Sequence, residues 1–306
     1  MIGLAYRAQN VTVLAQWARM GSRFEHAREL THFTRSVVSG SVTLHVESLE
    51  ADAAEHTIVL LSEAEAPSSR WPTDFVVGIT RSFGRCVWFD TRDIGASTWL
   101  DDPYSMRDLV ADVEAVIDEL DLGVVDLLGR SMGGEVAMRL ALSRPELVNS
   151  LILLSTTPGR REELGLPEQW LIEKMSDRLL AGAPSSDEDR ANWIVDQLEW
   201  FNGPVFAFDR AAALVHARAE VRSGWRGPNG HGLAVMEAED VVERIRGLRV
   251  PTSIIHGTAD PVLPVDHARA LHALIEDSTL TLVEGLGHEL PEAFIEQLIQ
   301  LIGSVR

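Results

Sequence analysis

Five short apolar runs constrain this chain more than any other feature. They fall at residues 57–61, 86–89, 124–128, 151–154 and 252–255, each too short for a helix and together rich in Val, Ile and Leu. Runs of this length without polar alternation are the pattern of strands buried on both faces. Helical stretches separate them, notably 105–120, which opens at Ser105, and 134–143. Strand and helix in alternation call for a largely parallel sheet with helices on both sides. A further strand is expected at 42–46 and another at 279–283, followed by a last helix from about Pro291.

The rhythm breaks twice. Residues 157–245 are helix-like throughout, carry the acidic run Ser186-Asp187-Glu188-Asp189, and contain Trp170, Trp193, Trp200 and Trp225. They read as a helical cap inserted into a core of 41–156 and 246–306. Residues 1–40 read as an N-terminal helical arm, because Leu14, Trp17, Met20, Phe24, Ala27 and Leu30 recur at steps of three or four. Five arginines against two glutamates give the arm a local charge of +3. Its apolar face is expected to pack on its own domain or on a second copy of the chain, so a homodimer through the arm is the candidate assembly.

Composition excludes several function classes. With 45 % hydrophobic and 24 % charged residues over 306 positions, the chain can bury a full core and is not disordered. A net charge of −19, with no local basic patch, opposes nucleic-acid binding. The single cysteine, Cys86, can form no internal disulfide, and no His/Asp/Glu grouping has the spacing of a metal site, so neither metal nor cofactor is expected. No run approaches the length of a membrane span and no leader is readable, so a cytoplasmic protein without a membrane partner is expected.

The chemistry concentrates in Gly129-Arg130-Ser131-Met132-Gly133-Gly134. This is G-x-S-x-G between a strand and a helix, a turn so sharp that it strains the serine backbone and lifts its hydroxyl clear of the sheet. A serine needs a base, and the base needs an orienting acid. Both follow in the required order, each just past a late strand: Asp260 in Ile255-His256-Gly257-Thr258-Ala259-Asp260, and His288 in Gly285-Leu286-Gly287-His288. Ser131 is thus the candidate nucleophile, His288 the base and then acid, and Asp260 its orienting partner. His256, His267 and His272 read as core or surface groups.

With these residues assembled, the chain from about residue 41 onward resembles the α/β-hydrolase superfamily. Trp71-Pro72, Arg92-Asp93, the 129–134 turn and residues 285–291 resemble more narrowly the aclacinomycin methylesterase-like branch, the esterases of aromatic polyketide tailoring. The resemblance implies an α/β-hydrolase fold and a small-molecule substrate. It also implies an oxyanion hole built from the backbone N–H groups of Met132 and, by position, Ala64. Here the chain departs from the family, which usually carries His-Gly or Gly-Gly in that loop. This loop reads Ser62-Glu63-Ala64-Glu65-Ala66, so Glu63 and Glu65 become candidate modulators of the reaction.

The expected function is therefore hydrolysis of an ester or lactone of a bulky apolar molecule, of polyketide type, through an acyl-enzyme. Trp170, Trp193, Trp200, Phe201 and Trp225, with Phe206 and Phe208, are the candidate cap residues over the pocket, and several of them are expected simply to pack. The alternatives are a non-hydrolytic relative of the same fold (a cyclase, lyase or decarboxylase) and a catalytically silent ligand-binding protein.

Overall fold

The apolar runs become the centre of an eight-stranded sheet. In chain order its strands are β1 (Leu30–Ser39), β2 (Val42–Ala51), β3 (His56–Leu61), β4 (Gly84–Phe89), β5 (Val125–Arg130), β6 (Val148–Leu154), β7 (Thr252–Gly257) and β8 (Ser278–Val283). They pair in the order β1-β2-β4-β3-β5-β6-β7-β8. From β4 to β8 every pairing is parallel, while β1 and β2 join at one edge as an antiparallel hairpin. The structure is a computed structural model and describes residues 30–51, 54, 56–159 and 161–303.

Helices cover both faces, as parallel strands require. On one face α1 (Thr73–Phe83) and the last helix, α10 (Ile295–Gly303), bury Phe75, Ile79, Leu298 and Ile302 against Ile58, Leu60 and Leu128. On the other lie α2 (Met106–Glu119), α3 (Met132–Ser143) and α9 (Asp266–Leu274), which bury Leu109, Val113, Val136, Leu140 and Leu271 against Val59, Leu127 and Leu153. Ser105 and Asp108 form a reciprocal capping box that starts α2. Its Asp112 is fully buried and takes a two-pronged hydrogen bond from Arg92, Nε to Oδ2 at 2.7 Å and Nη2 to Oδ1 at 2.6 Å. Arg92 therefore ties the loop after β4 to α2.

Between β6 and β7 the chain inserts α4 (Gln169–Ala181), α5 (Asp187–Phe201), α6 (Arg210–Arg222), α7 (His231–Met236) and α8 (Val242–Ile245). Helices α5 and α6 hold a small core of their own, formed by Ala191, Ile194, Val195, Ala217, Val221 and Trp225. Among the described residues no helix is long and apolar enough to cross a membrane.

The structure corrects the arm. Residues 30–39 are strand, paired residue for residue with β2 from Leu30 opposite Ala51 to Ser39 opposite Val42. Thr31, Thr34, Val37 and Val38 are β-branched and favour the extended chain. Gly40, at φ +58°, then makes the two-residue turn of a hairpin. The helical reading of residues 1–29, and any dimer contact through them, lies outside the described residues.

Candidate active site

Ser131 sits where β5 turns into α3, with φ +51° and ψ −120°. A non-glycine residue is held there only when its surroundings leave no other choice. Here the Ser131 N–H donates to Leu154 O at 3.0 Å. Its carbonyl accepts from Thr156 Oγ1 at 2.6 Å and from Gly134 N at 2.9 Å. The flanking glycines permit the close packing this demands. A Cβ on Gly129 would lie 2.3 Å from Gly133 O, and one on Gly133 would lie 2.2 Å from Leu61 O. The second contact shows that the turn is pressed against the end of β3, which leads into residues 62–66. The Ser131 hydroxyl thus stands at the N-terminal end of α3, where the helix dipole favours negative charge.

Asp260 and His288 come together. The His288 Nδ1–H donates to Asp260 Oδ2 at 2.7 Å, and Asp260 Oδ1 accepts the N–H groups of Val262 and Leu263, each at 2.9 Å. Burial by itself would raise the Asp260 carboxyl, but the His288 imidazole and these donors outweigh it and hold it below the ordinary carboxylate value. With Nδ1 committed to Asp260, Nε2 of His288 is the nitrogen left to exchange a proton. Phe201 frames the imidazole edge-on, with ring centroids 5.6 Å apart, and its carbonyl accepts the His288 N–H at 2.8 Å. His256 lies 3.6 Å from Asp260 but is fully buried and donates to Leu263 O at 2.8 Å, a core histidine.

Ser131 and His288 are linked through Arg130, a residue the sequence reading passed over. Its Nη2 donates to His288 O at 2.7 Å and to Glu289 Oε2 at 3.1 Å, and its Nη1 lies 3.0 Å from Glu63 Oε1. The residue before the serine and the residue after the histidine are thereby clamped to the loop after β3. The clamp extends outward: Arg70 lies 3.9 Å from Glu63 and makes a two-pronged contact with Glu220 of α6, at 2.9 and 3.1 Å. Glu63 is thus turned onto two arginines. The one sign of this clamp legible in the sequence was Arg130, a charged residue at the C-terminal end of β5.

Met132 is buried as the first residue of α3, and Ala64 is half-buried against the core beneath α2 and α3. Glu65 has φ +62°, and burial pushes its carboxyl up, partly offset by the Arg70 charge. The aromatic candidates divide. Trp225 belongs to the core of α5 and α6, and Trp193 and Phe208 pack against that core. Phe206 stacks edge-on against Phe294. Trp170 and Trp200 line an open cleft of about 450 Å³ with Asn202, Asp260, Pro261 and Pro264. Arg178 lies 4.3 Å and Lys174 4.8 Å from the Trp200 ring centroid. Among the described residues no cluster of three or more His, Cys, Asp or Glu side chains could hold a metal.

A sequence model of the α/β-hydrolase fold family matches residues 84–292 of this chain. The chain belongs to the α/β-hydrolase family. Within it, the chain is similar to the rhodomycin D methylesterase of Streptomyces peucetius, 26 % identical over 292 residues that cover 88 % of this chain and 96 % of that one. It is also similar to a 3-oxoadipate enol-lactonase of Acinetobacter baylyi, 24 % identical over 267 residues, covering 86 % and 94 %. Among solved structures, an esterase of Exiguobacterium antarcticum superposes with a TM-score of 0.71 at 21 % identity, covering 89 % of this chain and 99 % of that one. This α/β-hydrolase is an enzyme of the hydrolase class, as its esterase, methylesterase and lactonase relatives are.

Proposed function

We propose that this hydrolase cleaves an ester or lactone of a bulky, mostly apolar small molecule by a Ser131–His288–Asp260 mechanism. The observation that carries the reading is the His288–Asp260 hydrogen bond at the same end of the sheet as the strained Ser131 turn. Ser131 Oγ attacks the substrate carbonyl carbon while His288 Nε2 takes the hydroxyl proton. The tetrahedral oxyanion is held by the backbone N–H groups of Met132 and Ala64 at the positive end of α3. His288 then passes its proton to the leaving alcohol, and an acyl-enzyme remains. A water, deprotonated by His288, attacks the acyl carbon, and collapse of the second intermediate returns Ser131 and releases the acid. Asp260 holds the imidazole in the required tautomer and stabilises its cation.

The substrate's apolar body rests under the inserted helices, with Trp170 and Trp200 at the cleft beside the Asp260 loop as the first residues to meet it. A methyl ester on a polycyclic aromatic metabolite is the specific substrate class we put first, supported by the similarity to rhodomycin D methylesterase. The ion pairs of Glu63 with Arg130 and Arg70 count against a Glu-assisted, non-hydrolytic reaction, because that carboxylate is committed elsewhere.

A fluorophosphonate probe followed by mass mapping tests the proposal. Stoichiometric modification of Ser131, abolished in Ser131→Ala and slowed at least a hundredfold in His288→Ala, is the expected result. A folded, unlabelled wild-type protein would overturn it.

A further inference from the structure

The loop after β3 is held at two points, one on each side of Ala64. On one side the Glu63 carboxylate is anchored 3.0 Å from Arg130. On the other the Glu65 N–H donates to His231 Nδ1 at 2.9 Å. His231 opens α7, in the segment inserted between β6 and β7, and is fully buried. Because Nδ1 accepts, the ring proton sits on Nε2. That nitrogen donates to Arg92 O at 3.0 Å and lies 3.2 Å from Thr91 Oγ1. One neutral imidazole therefore bridges the loops after β3 and β4. Burial keeps it neutral, lowering its pKa to about 4.

The residues around it fix its position. The His231 N–H donates to Asn229 Oδ1 at 3.0 Å, Asn229 Nδ2 donates to Asp93 O at 2.9 Å, and Gly230 N donates to Asp93 Oδ2 at 3.0 Å. A side chain at Gly230 would meet the Tyr104 ring at 2.6 Å, so this approach needs glycine. Two of the residues that the segment grips are in the left-handed region, Glu65 at φ +62° and Asp93 at φ +69°. Such conformations relax unless outside contacts over-determine them. For Glu65 the outside contacts come from the same segment: His231 accepts its N–H, and the Asn229 N–H donates to its carboxylate.

We propose that His231 is a positioning residue for the hydrolysis: by accepting the Glu65 N–H it holds the loop in the form that aims the Ala64 N–H at the developing oxyanion. The proposal rests on the catalytic reading given above. It makes the inserted helical segment part of the catalytic geometry as well as a roof, since a residue of that segment sets an element of the core. His231 touches neither substrate nor the reacting atoms and transfers no proton.

Two isopolar variants separate positioning from packing. In His231→Asn the amide oxygen stands near the place of Nδ1 and still accepts the Glu65 N–H. In His231→Gln the amide nitrogen reaches the place of Nε2 and keeps the bond to Arg92 O, while no acceptor faces Glu65. We expect His231→Gln to lose about a hundredfold in kcat and in the rate of fluorophosphonate labelling, the size of effect seen when one oxyanion donor is removed, with KM changed less than threefold. His231→Asn stays within about fivefold of wild type in both. Thermal unfolding of each variant establishes that it is folded at the assay temperature. Equal losses in the two variants, or a loss confined to KM, would overturn the proposal. So would a His231→Gln that labels at the wild-type rate. Absence of labelling in the wild type would instead strike at the catalytic reading on which the proposal stands.

Discussion

Arg130 and Glu63 form a buried ion pair, Nη1 to Oε1 at 3.0 Å, directly behind Ser131. A bare carboxylate about 5 Å from an oxyanion, at an effective dielectric of about 20, opposes it by roughly 3 kcal/mol. The ion pair turns that charge into a dipole, and the guanidinium side of it also binds the His288 carbonyl. A glutamate in the loop after β3 is in this way compatible with ester hydrolysis.

The charge count in this network predicts an asymmetry. Glu63, Glu220 and Glu289 surround Arg70 and Arg130, so the acids outnumber the bases. Burial pushes the Glu220 carboxyl up in spite of Arg70, and the neighbouring Glu63 charge adds to that rise. Removing one acid relieves it, whereas removing a base strands two acids. Glu63→Gln should cost less than about 1 kcal/mol, and Arg130→Met about 3–5 kcal/mol, in denaturant unfolding. Equal losses would show that the network is not short of positive charge.

Ser131→Ala and His288→Ala should each lower kcat by three or more orders of magnitude, and the double variant should lose little more, because in the proposed mechanism the two groups act as a unit. Steady-state turnover of an activated ester reads this directly. Ser131→Ala with more than about a tenth of the wild-type rate is incompatible with an acyl-enzyme.

Gly133→Ala places a methyl group against the Leu61 and Ser62 carbonyls, backbone atoms that cannot swing aside. Relief requires the strand end and the serine turn to separate, which also moves the Ala64 loop. The variant should lose about 1–3 kcal/mol of stability. It should also lose at least a hundredfold in kcat, with the two losses measured by thermal unfolding and ester turnover. Wild-type turnover in a folded Gly133→Ala protein would show that the serine turn is not wedged against β3.

Glu135, one turn after Ser131, is buried, and desolvation raises its pKa to about 7. Between pH 4.5 and 7 the folded chain keeps this proton while the unfolded chain has released it. This group's contribution therefore falls as pH rises through that window. Glu135→Gln removes the effect. The variant should match wild type near pH 4.5 and exceed it by up to about 3 kcal/mol at pH 8, as read from unfolding curves at both pH values. A difference independent of pH would show that Glu135 is not held protonated.

Much of this molecule was legible in its residues because the signals are local. A strand buried on both faces must be apolar throughout, so β3 to β7 announce themselves in the sequence. A strained strand-to-helix turn needs small neighbours, so Gly129, Ser131 and Gly133 stand out, and Asp260 and His288 follow at the ends of late strands. Tertiary structure decided the rest. Residues 30–39 are strand because β2 offers them an edge to pair with, which no local period reveals. Trp193 and Trp225 build the packing of α5 and α6 while Trp170 and Trp200 line a cleft, a division set by which helix faces which. Glu63 is neutralised by arginines 7 and 67 positions away, and Glu65 is held by a histidine 166 positions away. Ion pairs and hydrogen bonds act over a few ångström of space, and only the folded chain brings these groups that close.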